Sequence, residues 1–313
     1  MGRERRWVIA AVSVCGAVLL CIGAVFLCRA PVLLVSDEAA EGLYGGKRAW
    51  EKRVAASLAL FRRVRSVRVG ESAGADAVAF AAEAASARPV CVLFPYRYLD
   101  GALRYQERQP EVPVAVLGGR IRQLPGSADG ALLVSTGAEL DYYRAGRCAA
   151  IFAGENGGEV LFYRDETLTA ADRESFTRGL RDGGWDAAPR FVSGDAALPE
   201  QTACAVIAGN AGESFWKDER DIPALLFSWL DPALSPRKVK VVFDDSPWAQ
   251  ARQAARRLAG GGIEEPLPSE AAVIPGRVDK ALGEKLALAL GAVPPGEGGG
   301  EPDAAALILP VRR

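Results

Sequence analysis

The chain has 313 residues and a mass of 33.1 kDa, half of them hydrophobic and a quarter charged, a globular composition with room for one or two domains of about 100–200 residues. Its 38 basic and 39 acidic side chains leave a formal charge of −1, which gives the body no pull on a phosphate backbone, so no nucleic-acid partner is expected. Histidine does not occur, which removes Ser-His-Asp and Cys-His relays, imidazole metal sites and an imidazole general base.

The first 30 residues carry Arg3, Arg5, Arg6 and Arg29 against Glu4 alone. Between Trp7 and Cys28 there is no charge and nothing more polar than Ser13. As a helix rising about 1.5 Å per residue, this run reaches roughly 33 Å, enough to cross a hydrocarbon core of ~30 Å. Three arginines precede it and one follows, so residues 1–6 are expected in the cytoplasm and the body outside. The run is longer than a signal-peptide core and exits through Val25-Phe26-Leu27-Cys28-Arg29, which favours a retained anchor over cleavage. A lipoprotein held at Cys28, with Leu27 a poor residue before it, and simple secretion remain open. Each route exports the body.

Beyond Pro31, short apolar, β-rich runs fall at 32–35, 64–69, 90–94, 112–117 and 131–134, then at 160–163, 190–192, 203–208, 224–227, 239–243 and 305–309. Most are continuous rather than alternating, as in parallel strands covered on both faces. Helical stretches separate many of them. The segment 50–63 places Val54, Leu58 and Phe61 on one face; 76–86 is alanine-rich; 140–153 offers Leu140, Tyr143 and Ile151. Thr169-Ala-Ala-Asp172 opens a helix with a capping-box pattern, and Gly183-Gly184 closes it. A further helix is expected over 247–258, from Pro247 to the glycines 260–262. Alternation of this kind predicts an α/β fold with mainly parallel sheets, and eleven strands favour two lobes over one sheet. The stretch 294–303 (PPGEGGGEPD) is a Gly/Pro loop.

Cys91, Cys148 and Cys204 are far apart among apolar neighbours, and no CxxC pair occurs, so they are expected to be buried free thiols. Phosphate cradles are missing. No GxGxxG follows a strand, and Gly45-Gly46-Lys47 lacks the upstream glycine and the following Ser or Thr of a P-loop. No cofactor is implied.

The order of elements resembles the type I periplasmic binding protein fold, two Rossmann-like lobes joined by a three-stranded hinge, over most of residues 31–313. Tyr142-Tyr143-Arg144-Ala145-Gly146-Arg147-Cys148-Ala149-Ala150, followed by Phe176-Thr177-Arg178-Gly179-Leu180-Arg181-Asp182-Gly183, is similar to the opening of that family's second lobe. Val32-Leu-Leu-Val-Ser-Asp37, Ala205-Val-Ile-Ala-Gly-Asn210 and Leu226-Phe-Ser-Trp229-Leu-Asp231 resemble its basic membrane protein branch, the nucleoside-binding lipoproteins. The resemblance implies a first lobe of residues 31–135 plus 246–275 and a second of 136–245 plus 276–313. It also implies a binding protein rather than an enzyme, with a nucleoside or sugar as ligand and an ABC permease as partner.

Ligands of open α/β sheets sit beyond the carboxyl ends of the strands. There a polar ligand needs carboxylates and amides for its hydroxyls and a flat ring for its apolar face. Asp37, Asn210, Asp231 and Asp244 supply the first, and Phe94, Tyr96 and Trp229 the second. Arg164 and Asp165 also follow a strand. Each has a plainer alternative: Asp37 as a turn cap, Phe94 and Tyr96 as strand-end packing, Asp244-Asp245-Ser246 as the cap of the next helix. Without the alternating oxygens of a calcium loop, that Asp pair argues for no metal. The charges from Lys217 to Asp221 form a solvated face. The leading reading is a membrane-tethered extracytoplasmic solute-binding protein. A binding-protein fold serving as a ligand-free envelope interaction or sensory module, and a membrane-anchored glycosyltransferase, are its alternatives.

Overall fold

The computed structural model describes residues 16–17, 20–21, 23–38, 41, 45–119, 131–135, 138–166, 168–228, 235–244, 250–251, 254–255 and 269–293. Within the apolar run 7–28 the described residues, 16–17, 20–21 and 23–28, are helical. Among the described residues no helix is long and apolar enough to cross a membrane. Of the expected helix 247–258, residues 250–251 and 254–255 are described, and helical; the expected strand 305–309 lies outside the described residues. The chain divides into two compact units: it passes into the second at Val134–Ser135, returns to the first at Gln250–Ala251 and is again in the second by Ser269.

Unit 1 runs β1 (Val32–Asp37), α1 (Gly45–Leu60), β2 (Val64–Val69), α2 (Ala75–Ala85), β3 (Cys91–Pro95), a 3-10 turn (Tyr96–Tyr98), α3 (Leu99–Arg108), β4 (Val114–Gly119) and β5 (Leu132–Ser135). The sheet order is β2-β1-β3-β4-β5, with β1 parallel to β2 and β3, and β3 parallel to β4. Leu33, Val35, Val92, Phe94, Val114 and Val116 face Val78, Ala79 and Ala82 of α2 and Ala102 and Tyr105 of α3. The intervening residues Val32 and Leu34 are buried too, which is why the strand sequences are continuous rather than alternating. Helix α3 escaped the pattern reading because its inner face is Gly101, Ala102 and Tyr105, with no aliphatic period. Helix α1 departs from expectation in the other direction. Its inner side chain is Ala56, while Leu58, on the face expected to be apolar, is exposed.

Unit 2 contains α4 (Ala138–Asn156), β6 (Glu159–Tyr163), α5 (Ala170–Asp182), β7 (Arg190–Val192), β8 (Thr202–Ile207), α6 (Glu213–Lys217), β9 (Ala224–Phe227), β10 (Val239–Asp244), β11 (Glu270–Val273) and α7 (Lys280–Leu290). Its sheet order is β7-β6-β8-β9-β10-β11, parallel except for the antiparallel β10–β11 pair. Counted from the first strand of each unit, the first sheet follows the order 2-1-3-4-5 and the second 2-1-3-4-5-6, the doubly wound pattern that reverses beside its first strand. The expectation of α/β units with mainly parallel sheets holds. One boundary does not: β11 lies within the stretch 246–275 expected in the first lobe, yet it is hydrogen-bonded to β10.

Phe162 anchors one face of the second sheet, its ring 4.8 Å from Phe176, 5.2 Å from Phe191 and 5.7 Å from Tyr142. Helices α4 and α5 approach so closely that a Cβ on Gly146 would lie 2.2 Å from the Phe176 carbonyl oxygen, and one on Gly179 2.1 Å from that of Tyr143. Gly146 and Gly179 of the resemblance segments therefore serve helix packing. The capping box at Thr169 is formed: its hydroxyl accepts the Asp172 amide at 3.2 Å, and the Asp172 carboxylate accepts the Thr169 amide at 2.9 Å. Cys91, Cys148 and Cys204 are unpaired and fully buried. Burial pushes the Cys91 thiol up to about 12 and raises the other two, so all three are inert at neutral pH.

Candidate functional site

In unit 2 the chain leaves β6 toward β7 on one side and β8 on the other, so the reversal falls at the carboxyl ends of these strands. There the segments after β6, β7 and β8 surround an open depression of about 770 Å³, lined among others by Arg164, Arg173, Ser193, Asp195 and Asn210. Its floor is tightly built. The Arg164 amide donates to the Val192 carbonyl at 3.0 Å, and the amides of Ala208 and Gly209 both donate to the Tyr163 carbonyl, at 3.1 and 3.0 Å. A Cβ on Gly209 would lie 2.4 Å from the Arg164 carbonyl oxygen, and one on Gly212 2.2 Å from that of Gly194, so only glycine allows these loops to meet.

Arg173 stands in the first turn of α5 with its guanidinium 5.3 Å from the Phe191 ring centroid. Its Nε is buried with no hydrogen-bond partner, and among the described residues neither Arg173 nor Arg164 is paired with a carboxylate. Held on an aromatic face and unpaired with any described carboxylate, Arg173 brings a positive charge to the wall of the depression. Asn210 and Asp195, both exposed, bring acceptors to the same rim. Among the described residues no group of three or more acidic or cysteine side chains is placed to hold a metal ion.

The corresponding edge of unit 1 is closed by its own side chains. Asp37 is buried at the end of β1, where it accepts the Tyr98 hydroxyl at 2.9 Å and pairs with Arg97 at 2.7 Å. Burial, and then the bond to Asp37, push the Tyr98 phenol up to about 12, so it stays a donor. Beside it Ser36 and Ser66 lie 2.6 Å apart, both hydroxyls reach Glu41, and Glu41 pairs with Arg68. A second depression, of about 560 Å³, lies on the flank of α3, where Arg104 and Glu107 pair at 3.0 Å, away from the strand ends.

The sequence-derived candidates thus separate. Asn210 lines the depression. Asp37 is committed to Arg97 and Tyr98, a correction to its expected role: a carboxylate already satisfied has little to offer a ligand. Phe94 is also corrected. It has no exposed surface and its ring packs 5.8 Å from Tyr105, which leaves no free face. Tyr96 opens the 3-10 turn, partly buried against the same core. Asp244 is buried at the end of β10, opposite Glu270 of β11. Trp229 and Asp231 lie outside the described residues. Arg173 and Asp195 escaped the sequence reading. A first-turn helix residue after a parallel strand sits at the same edge as the strand end, and that placement is the signal that could have found Arg173.

No family model matches the chain, and no curated relative does either. Solved structures are similar to it. An ABC transporter periplasmic solute binding protein from Actinobacillus succinogenes 130z, with bound D-allose, aligns over 81% of this chain and 99% of its own at 13% identity and a TM-score of 0.48. A LacI transcriptional regulator from a Rhodococcus species aligns over 78% and 96%, at 16% identity and 0.47. A periplasmic ribose ABC transporter protein from Conexibacter woesei DSM 14684 aligns over 78% and 91%, at 14% and 0.48. These neighbours are of the type I periplasmic binding kind that the sequence resembles. With every TM-score quoted below 0.5, the description of the fold rests on the strand order and directions above.

Proposed function

We propose that this chain is an extracytoplasmic solute-binding protein, held at a membrane by residues 7–28, that takes a small polyhydroxylated ligand of the sugar or nucleoside class. The observation that carries this reading is the depression at the β6/β8 reversal, where the unpaired guanidiniums of Arg164 and Arg173 stand beside Asn210 and Asp195. A hydroxyl both donates and accepts, so a polyol satisfies a rim of mixed donors and acceptors, whereas a simple anion would meet Asp195 and Glu166. Binding without chemistry fits a chain that lacks histidine. Delivery to an ABC-type permease is the transport role this implies.

The test is thermal unfolding of the full chain against a panel of monosaccharides, polyols and nucleosides, with native mass spectrometry for a co-purified molecule. A true ligand at 100 times its dissociation constant adds about 2.7 kcal/mol of stability. Stabilisation by one chemical class supports the proposal; no stabilisation by any of them, with nothing co-purified, overturns it. The self-satisfied edge of unit 1 favours a second reading for that outcome, an envelope interaction module on a binding-protein scaffold.

A further inference from the structure

Helix α1 turns an apolar stripe outward. Trp50 is 55% and Leu58 69% exposed, and with Val54 and Phe61 they fall at i, i+4, i+8 and i+11 on one face. At its lower end the stripe meets the N-terminal run. The Phe26 ring packs edge-on at 5.8 Å from Phe61, and the Arg29 guanidinium lies 5.6 Å from the same ring. Arg62 donates to the Ala30 carbonyl at 3.2 Å. Leu20, Val25 and Leu27, in the described turns of that run, are exposed as well. Phe61 holds a left-handed backbone, φ 48°, at a position after a helix that glycine usually fills, so an aromatic ring is kept there against the local preference of the chain.

At the Phe61 end of the stripe the nearby charges are basic, Arg29, Arg62 and Arg63. Over its length helix α1 carries Lys47, Arg48, Lys52 and Arg53 against Glu51, which flanks the stripe at its Trp50 end. Trp, Leu and Phe on one face of a basic helix is the composition of an interfacial helix, and basic residues beside an apolar stretch match the phosphate level of a bilayer. We propose that the stripe of Trp50, Val54, Leu58 and Phe61 is a lipid-contact surface on which unit 1 rests against the membrane, sunk to the boundary between headgroups and acyl chains. This rests on the reading of residues 7–28 as a retained membrane segment. A docked protein or a second copy would need a counter-surface for the basic residues; anionic headgroups supply it without one.

The test places the photoreactive residue benzoylphenylalanine, one position at a time, at Trp50, Leu58, Leu20, Phe80 and Leu288 of the full chain, in vesicles of phosphatidylethanolamine and phosphatidylglycerol. Phe80 and Leu288 are equally exposed apolar positions elsewhere on the molecule. Phospholipid adducts at positions 50 and 58, about tenfold above those at 80 and 288, are expected for a helix lying in the interface. Adducts at position 20 but not at 50 or 58 overturn the surface and leave the anchor standing. No lipid adduct at any of the three overturns both. Protein adducts in place of lipid adducts at 50 and 58 replace the bilayer with a protein partner.

Discussion

Phe61 shows how one backbone conformation separates competing demands. Its amide donates to the Leu58 carbonyl and the Arg62 amide to the Ser57 carbonyl, both at 3.1 Å, the paired bonds of a helix end closed by a left-handed residue. A side chain in that conformation costs about 1 kcal/mol relative to glycine. Replacing Phe61 by Ala removes the ring and keeps the strain; replacing it by Gly removes both. The Gly variant should therefore be the more stable of the two by about 1 kcal/mol in urea unfolding. An Ala variant as stable as the Gly variant would show that φ at Phe61 carries no strain. The same scale explains the fate of two expected ligand residues. Asp37 and Phe94 occupy the right end of the right strands, but whether a strand-end side chain is free depends on partners 61 and 11 residues away in sequence, Tyr98 and Tyr105. No local pattern records those partners.

At the scale of elements, strands wrote themselves into the sequence wherever both faces are buried. The bounds 224–227 agree between sequence and structure because Ala-Leu-Leu-Phe is apolar throughout, and the edge strands 64–69 and 190–192 agree although they are partly exposed, because Val64, Val67 and Val192 still face the core. β11, by contrast, is Glu-Ala-Ala-Val, four residues with little β-propensity of their own. It exists through its antiparallel bonds to β10 and through a clasp at its start. There the buried carboxylate of Asp141, in α4, accepts the Ser269 amide at 3.1 and 3.0 Å and the Ser269 hydroxyl at 2.6 Å. The half-buried guanidinium of Arg144, whose ionisation burial disfavours and Asp141 supports, lies one turn along the helix. Asp141→Ala removes all three hydrogen bonds and the charge at once, and is expected to cost about 3 kcal/mol in urea unfolding, against about 1 kcal/mol for Ser269→Ala. Equal costs for the two variants would mean that the hydroxyl bond, rather than the carboxylate, carries the clasp.

Across the whole molecule, the repeated 2-1-3-4-5 order presents two equivalent sheet edges, and the side chains have made them unequal. The mainly parallel α/β character was legible because β-rich runs alternate with helix and turn signals; the inequality was not, because it lies in which polar groups find partners within their own unit. In unit 1, Asp37 is held by Arg97 and Tyr98, and Ser36 and Ser66 by Glu41. In unit 2, Arg173 keeps a buried Nε without a partner, above a floor fixed by glycine contacts. A satisfied group contributes to folding, and removing it costs stability; an unsatisfied one costs the empty protein something and contributes only when a ligand arrives. The two edges should therefore respond oppositely to substitution. Asp37→Ala should lower the stability of the ligand-free chain by about 2 kcal/mol while the stabilisation added by the ligand persists. Arg173→Met keeps the aliphatic cover over Phe191, should change the ligand-free stability by less than about 1 kcal/mol, and should abolish most of the ligand-induced increase. Thermal unfolding of both variants with and without the stabilising ligand separates the cases. If Asp37→Ala removes the ligand effect and Arg173→Met leaves it intact, the recognising edge belongs to unit 1, and the open donor of Arg173 is a local imperfection of α5.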